Sequence, residues 1–313
     1  FLLYFSLKGE IYMQKIPDFF REMLNSQYGE SLANKITDGF CKRVVTLRAN
    51  TIKSNVESVK ETLTNYGIDF KEVIWYKDAL IIENAKESDI RKLNIYENGA
   101  IYLQSLSSMI PPIILNPKPK ENILDMTAAP GGKTTEMCAL SENKAMITAC
   151  EKNKIRADRL RYNLEKQGVK CVNVMVEDAR KLDNFFAFDK ILLDAPCSGS
   201  GTLNFDEEDR EGTFTKELVE RSVKVQEELL RKAVKILKPG GEIVYSTCSI
   251  LKNENEDVLN KVLSKEDAYI VPIEKDLLKD IPLLPTTIDG TICVLPTNSY
   301  EGFFVAKIKK KYT

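Results

Sequence analysis

Histidine is absent from all 313 residues. That excludes every Ser–His and Cys–His mechanism and any histidine-ligated metal or haem. None of the seven cysteines (Cys41, Cys138, Cys150, Cys171, Cys197, Cys248 and Cys293) forms a C-x-x-C pair. Zinc-finger spacings are thereby missing and no metal is expected. An odd, scattered set of thiols reads as reduced and cytoplasmic rather than as a disulfide framework. No apolar run reaches the roughly 18 residues that a membrane span needs, so no membrane partner is expected. Excess charge is missing too: the net charge is −1 and the pI about 6. Contact with a polyanion would have to come from a local basic patch. The start, FLLYFSLKGEIYM, has no basic leader or cleavage site. Residues 1–12, ahead of Met13, are expected to be an extension without a role.

What is present centres on residues 121–134, ENILDMTAAPGGKT. An apolar run carrying Asp125 breaks at Pro130-Gly131-Gly132 and restarts at Lys133. This is the pattern of a buried strand, a tight glycine turn and a helix start. Such a turn aims backbone N–H groups at whatever lies above the strand's carboxyl end. Downstream, apolar strands and periodic helices alternate as far as the strand EIVYSTCSI, and AYIVPI, TICVLP and GFFVAKIK read as later strands. The alternation predicts an α/β fold with a doubly wound, mostly parallel Rossmann-like sheet over residues 96–313. Ahead of it, residues 16–34 show helical spacing, RVVTLR reads as a strand, and Ser54 opens a helix. Two short strands surround Tyr76-Lys77-Asp78. Residues 13–95 are therefore expected to form a small α+β domain. Ser105–Ile114 reads as a helix despite Pro111 and Pro112.

Three strand ends carry acids. Glu151 closes the second strand, 18 residues past Lys133, where it can accept from ribose hydroxyls. Asp178 closes the third, and Asp194 the fourth. The turn lacks Walker A spacing, so a nucleoside-bearing cofactor without a long phosphate tail fits it better than a nucleotide triphosphate. Cys197 follows Asp194 in DAPCSGSG, and Cys248 lies in STCSI at the fifth strand's end. A lone cysteine is usually a buried structural residue. Two at adjacent strand ends beside an acid point instead to a crevice.

DMTAAPGGKT, DAPCSGSGT and YSTCSI resemble the signature segments of the NOP/Sun family of RNA (cytosine-C5) methyltransferases, which includes RsmB- and RsmF-type enzymes. RANT (48–51), GAIYLQSLSSMIPP (99–112) and GFFVAKIKK extend the resemblance over nearly the whole chain from about residue 13. The resemblance implies transfer of a methyl group from S-adenosylmethionine to carbon 5 of a cytosine in RNA, ribosomal RNA first and transfer RNA next, by a monomer. It implies that Thr127, Ala128, Ala129, Pro130, Gly131, Gly132 and Lys133 cradle the cofactor, with Arg156 beside them. Glu151 would hold its ribose and Asp178 its adenine. Asp194 would lie between methyl donor and cytosine, Cys248 would be the nucleophile, and Cys197 would assist product release. Lys133 would reach the reacting base.

The chemistry accounts for these residue types. Carbon 5 of cytosine is too weak a nucleophile to take a methyl group directly. A thiolate adding at carbon 6 pushes electron density onto it. For RNA contacts, Arg48, Asn50 and Arg43 are the first candidates, since they belong to the segment resembling the family's N-terminal RNA-binding unit. The run Lys152, Lys154, Arg156, Arg159, Arg161 reads as a solvated helix face. Two features depart from the family: VLPTNSYEG lacks a histidine often found there, and the loop at Asp206, Glu207, Glu208, Asp209 and Glu211 is acidic. Competing readings are a DNA cytosine-C5 methyltransferase, a small-molecule methyltransferase and a catalytically silent RNA-binding assembly factor. The first has no use for Thr247-Cys248, the second none for paired cysteines, and the third none for an intact Asp194.

Overall fold

The computed structural model describes residues 16–205 and 214–312. The expected extension at 1–12 and the acidic loop at 206–211 lie outside the described residues. Helices α1 (Asp18–Tyr28) and α2 (Glu30–Asp38) divide the region of helical spacing at Gly29, whose φ of +76° suits glycine. Their apolar residues Phe20, Leu24 and Ile36, with Phe40 just beyond α2, are fully buried in the core of the large sheet. Phe20 meets Phe214 with ring centroids 4.7 Å apart. Both helices thus pack against the large sheet.

The small sheet is made by β1 (Thr46–Ala49), β2 (Phe70–Glu72), β3 (Ala79–Ile82) and β4 (Ile101–Leu103). Its order is β2-β3-β1-β4, antiparallel throughout. Helix α3 (Val56–Asn65) packs Val59 and Leu63 beneath it. Asn55, not Ser54, caps that helix: its Oδ1 accepts from the Ser58 N–H at 2.9 Å. Two single turns, α4 (Glu87–Ile90) and α5 (Asn94–Glu97), lead into β4. Strand β4 completes the small sheet beside β1.

Helix α6 (Leu106–Leu115) contains both prolines. A proline at 112 leaves the Ser108 carbonyl without its usual helical donor. Gln104 Nε2 donates to that carbonyl instead, at 3.3 Å. The large sheet then follows the expected alternation: β5 (Asn122–Asp125), α7 (Gly132–Leu140), β6 (Met146–Cys150), α8 (Lys154–Lys166), β7 (Val172–Met175), β8 (Phe188–Asp194), α9 (Lys216–Ile236), β9 (Leu237–Thr247) and α10 (Glu256–Leu263). The last strands are β10 (Ala268–Val271), β11 (Leu283–Leu284), β12 (Ile292–Val294) and β13 (Phe303–Lys310). Strands β7-β6-β5-β8-β9 run parallel, and β13 joins β9 antiparallel. The doubly wound, mostly parallel sheet is borne out.

Strand periodicity sends alternate residues to opposite faces. Leu124, Ile191, Leu193, Ile243 and Tyr245 pack in one core with α9 and α10. Ile123, Leu192 and Val244 pack in the other with Met109, Ile110 and Met137 of α6 and α7. Strand β5 lies between β6 and β8, where the chain turns from building outward on one side to building on the other. A crevice opens above such a switch point, at the carboxyl ends of the strands. Among the described residues no helix is long and apolar enough to cross a membrane.

Candidate active site

The turn after β5 forms as its sequence suggests. Gly131 has φ +110°, and a Cβ there would lie 2.9 Å from Leu160 Cδ1, so only glycine fits comfortably between strand and α8. Side chains of α8 fasten the turn from outside. Arg156 Nη2 donates to the Ala129 carbonyl at 2.9 Å, and Asn163 Nδ2 to the Pro130 carbonyl at 2.7 Å. Arg156 also pairs with Glu151 at 3.2 Å. Arg156 is thus a support for the turn as well as a lining residue.

A cavity of about 250 Å³ lies above β5–β8. It is lined by Thr127, Ala129, Glu151, Arg156, Asp178 and Asp194 among others, with Pro196, Cys197 and Cys248 at one side. Glu151 is buried, and its Oε1 accepts from the Asn153 N–H at 2.8 Å. Asp178 is gripped by Arg180, whose Nη2 donates to Oδ2 at 2.6 Å. That guanidinium holds the carboxyl down, at about 2. A second cavity, about 330 Å³, is lined by Tyr102, Gln104, Ser108, Lys133, Glu301 and Phe303. Thr127, Ala129, Asp194 and Cys248 line both. The two cavities therefore abut at Asp194 and Cys248.

Asp194 is fixed at every polar atom. Its Oδ2 accepts from Lys133 Nζ at 2.7 Å, its Oδ1 from Ser246 Oγ at 2.8 Å, and its carbonyl from Thr127 Oγ1 at 2.7 Å. Lys133 Nζ also donates to Ser108 Oγ at 2.8 Å and lies 5.3 Å from the Phe303 ring centroid. Burial alone would discourage the Lys133 charge, but Asp194, with a smaller contribution from Cys248, outweighs it, and the ammonium is held up overall. Asp125 lies beneath, fully buried, and is pushed up to about 6 by burial, against the Thr134 hydroxyl at 2.7 Å.

The two cysteine sulfurs are 3.0 Å apart and unbonded. Contact with Cys248, then burial, push the Cys197 thiol well above its ordinary range. The loops that carry them are interlocked. Gly201 N–H donates to the Cys248 carbonyl at 3.0 Å, and Gly302 N–H to the Gly201 carbonyl at 2.8 Å. A Cβ at Gly201 would lie 2.0 Å from the Gly302 carbonyl oxygen, which explains glycine in both segments.

Residues 127–133, Glu151, Arg156, Asp178, Asp194, Cys197 and Cys248 are thus brought to one crevice. The expected RNA contacts fare differently. Arg48 is fully buried; its Nε donates to Gln104 Oε1 at 3.4 Å and its Nη2 to Thr135 Oγ1 at 3.1 Å. Gln104 in turn donates to Glu136 Oε2 at 2.7 Å. Burial pushes Glu136 up to about 8, and the Arg48 charge opposes it. Asn50 is buried as well, donating to the Gly99 and Gln167 carbonyls at 2.8 and 2.9 Å. Neither can touch RNA on the surface; both weld the small sheet to the large domain. Arg43 is half-buried and points its guanidinium at the carbonyls of Gly201, Thr202 and Leu203. Sequence reasoning missed Glu254, which is buried beneath both cysteine loops. The signal available was an acid-rich stretch, NENE, close behind STCSI.

Comparisons with known proteins place the chain in a family. The family described as 16S rRNA methyltransferase RsmB/F matches residues 112–309, and the RsmF/B-like ferredoxin-like domain matches residues 16–89. The tRNA (cytosine(49)-C(5))-methyltransferase of Pyrococcus abyssi is 36% identical over 84% of this chain and 87% of its own. The ribosomal RNA small subunit methyltransferase F of Shewanella amazonensis is 34% identical over 85% of this chain, which spans only 58% of that relative. The solved structure of a methyltransferase homologue from Pyrococcus horikoshii superposes with TM-score 0.83 at 32% identity, covering 97% of this chain and 98% of its own. The chain belongs to the RsmB/F methyltransferases of the NOP/Sun family.

Proposed function

We propose that this protein methylates carbon 5 of a cytosine in RNA, using S-adenosylmethionine and a covalent link from Cys248. The observation that carries the reading is the pair of adjoining cavities with Cys248 and Asp194 in the wall of both. The residues fit the cofactor. The crevice offers a glycine turn, carboxylates at three neighbouring strand ends and no phosphate-type cluster of lysines, as suits hydroxyls, amines and a cationic centre. Residues 127–132, Glu151, Asp178 and Asp194 would hold it. When bound it supplies an electrophilic methyl group on a positively charged sulfur.

Cys248 gives up its thiol proton to solvent and adds through its sulfur to carbon 6 of the cytosine, which makes carbon 5 nucleophilic. The Lys133 ammonium, fixed by Asp194 and Ser108, places a cation near that sulfur and within the base-side cavity. Asp194 faces the ring edge on which charge develops. After methylation the carbon 5 proton leaves to water, and its bonding pair restores the double bond. The carbon 6–sulfur bond breaks toward Cys248. Cys197, kept as a thiol, hands its proton to the departing sulfur and regains one from solvent. A duplex cytosine would have to be unpaired or flipped to reach the cavity.

Ribosomal and transfer RNA are both named substrates among relatives. Transfer RNA gains weight from the Pyrococcus abyssi enzyme, the relative whose length this chain largely spans. The deciding experiment is tritiated methyl transfer from S-adenosylmethionine onto total rRNA, tRNA and DNA, with the product position mapped. Label in 5-methylcytosine of RNA is expected; label confined to DNA or to a small molecule would overturn the reading.

A further inference from the structure

We propose that Glu254 is the positioning residue that holds the two cysteine loops in register, through one carboxylate bonded to the residue that follows each cysteine. Ser198 follows Cys197, and both its N–H and its Oγ donate to Glu254, at 2.7 and 2.6 Å. Ser249 follows Cys248, and its Oγ donates to Glu254 Oε2 at 2.6 Å. The proposal rests on the reading of Cys248 as nucleophile and Cys197 as release residue.

The hydrogen bonds have one consistent direction. The Ile250 N–H donates to Ser200 Oγ at 3.1 Å, and Ser200 Oγ lies 2.8 Å from Ser249 Oγ. Ser249 spends its own proton on Glu254, so Ser200 must donate to Ser249. Every donor in the chain thus points toward the carboxylate, the arrangement an ionised acceptor demands. Burial raises the Glu254 carboxyl, and the serine donors resist it. The segment is itself fastened: the Glu254 carbonyl accepts from Tyr245 Oη at 2.7 Å, and Asn255 Oδ1 from Thr247 Oγ1 at 2.6 Å. Glu254 touches neither cavity, so its effect reaches the reaction only through the two loops. The two sulfurs are in contact at 3.0 Å, and reacting groups misplaced by about 1 Å can lose ~10²-fold in rate.

Glu254→Gln keeps the volume but puts an amide N–H₂ where two donors converge. The expected result is a ~10- to 100-fold fall in kcat with KM for RNA and for S-adenosylmethionine within about twofold. The covalent protein–RNA species should accumulate during turnover, because adduct formation needs one loop and release needs both. Wild-type kcat and wild-type adduct level in a folded Glu254→Gln protein would overturn the proposal. Should that variant not fold, Ser198→Ala and Ser249→Ala each remove one bond to the carboxylate. The same shift toward adduct in either supports the proposal, and wild-type partition in both overturns it. Cys248→Ala and Cys197→Ala run alongside: full activity in the first and no adduct in the second would defeat the functional reading itself, independently of Glu254.

Discussion

Lys133 Nζ lies 2.7 Å from Asp194 Oδ2 where the two cavities meet, so a single ion pair borders both cavities. Lys133→Met removes the cation and leaves Asp194 with Ser246. The expected outcome is a loss of about 10²–10³ in kcat, the scale of one preorganised electrostatic partner. Asp194→Asn should fall at least as far, since it also faces the cofactor side. Steady-state kinetics with RNA and S-adenosylmethionine varied separately check both, and a change confined to KM would contradict the placement.

The sulfur contact makes a second prediction. Cys248→Ala should abolish methylation and show no adduct. Cys197→Ala should still form the bond to RNA but release it slowly, giving a retarded band on a denaturing gel that protease removes. A Cys197→Ala protein that turns over at the wild-type rate would show that the departing sulfur needs no proton from Cys197.

Arg48 gives a prediction opposite to the one its motif suggests. Arg48→Met removes a buried guanidinium together with its hydrogen bonds to Gln104 and Thr135, and a buried polar group left without its partner costs about 1–3 kcal/mol. Thermal melting should show a large drop, while RNA affinity of the folded fraction, measured by filter binding, stays within about twofold of wild type. A selective loss of RNA affinity at unchanged stability would restore Arg48 to the RNA surface.

Glu136 predicts how stability depends on pH. Its carboxyl, ordinarily near 4.5, is pushed up to about 8 in the folded protein, so the folded state binds the extra proton between those values. Stability from this group is full below about 4.5 and is lost as pH rises through about 8. Asp125, raised from 3.8 to about 6, acts in the same direction over a lower window. Melting temperature should therefore decline from pH 6 to pH 8.5 in the wild type, and Glu136→Gln should flatten that decline. An unchanged slope in the variant would show that Glu136 is ionised throughout.

Much of this was legible in the sequence because the relevant physics is local. Residues 121–134 announce a strand, a turn and a helix, and the structure puts them there with Gly131 at φ +110°. Cys197 and Cys248 could be brought together because each lies within three residues of a strand's end and the alternation makes those strands neighbours. What was illegible depends on distant partners. A surface cation and a buried arginine look alike as letters, and the Thr135 hydroxyl that Arg48 bonds is 87 residues away. Glu254 reads as an ordinary acid ahead of a helix; only the approach of Ser198, 56 residues earlier, reveals its burial. Strand β4 went unread because three residues are too few to show a period.

The backbone contact between Gly201 and Gly302 limits how this site can change over evolution. With main chains touching at 2.8 Å, neither position can acquire a side chain without parting the segment after Cys197 from the one that leads into β13. Side-chain variation around the second cavity is left to residues that line it, such as Tyr102, Ser105 and Glu301, and Glu301 already meets Ser105 at 2.7 Å. The paired glycines are thus fixed points about which the rest of that cavity can vary.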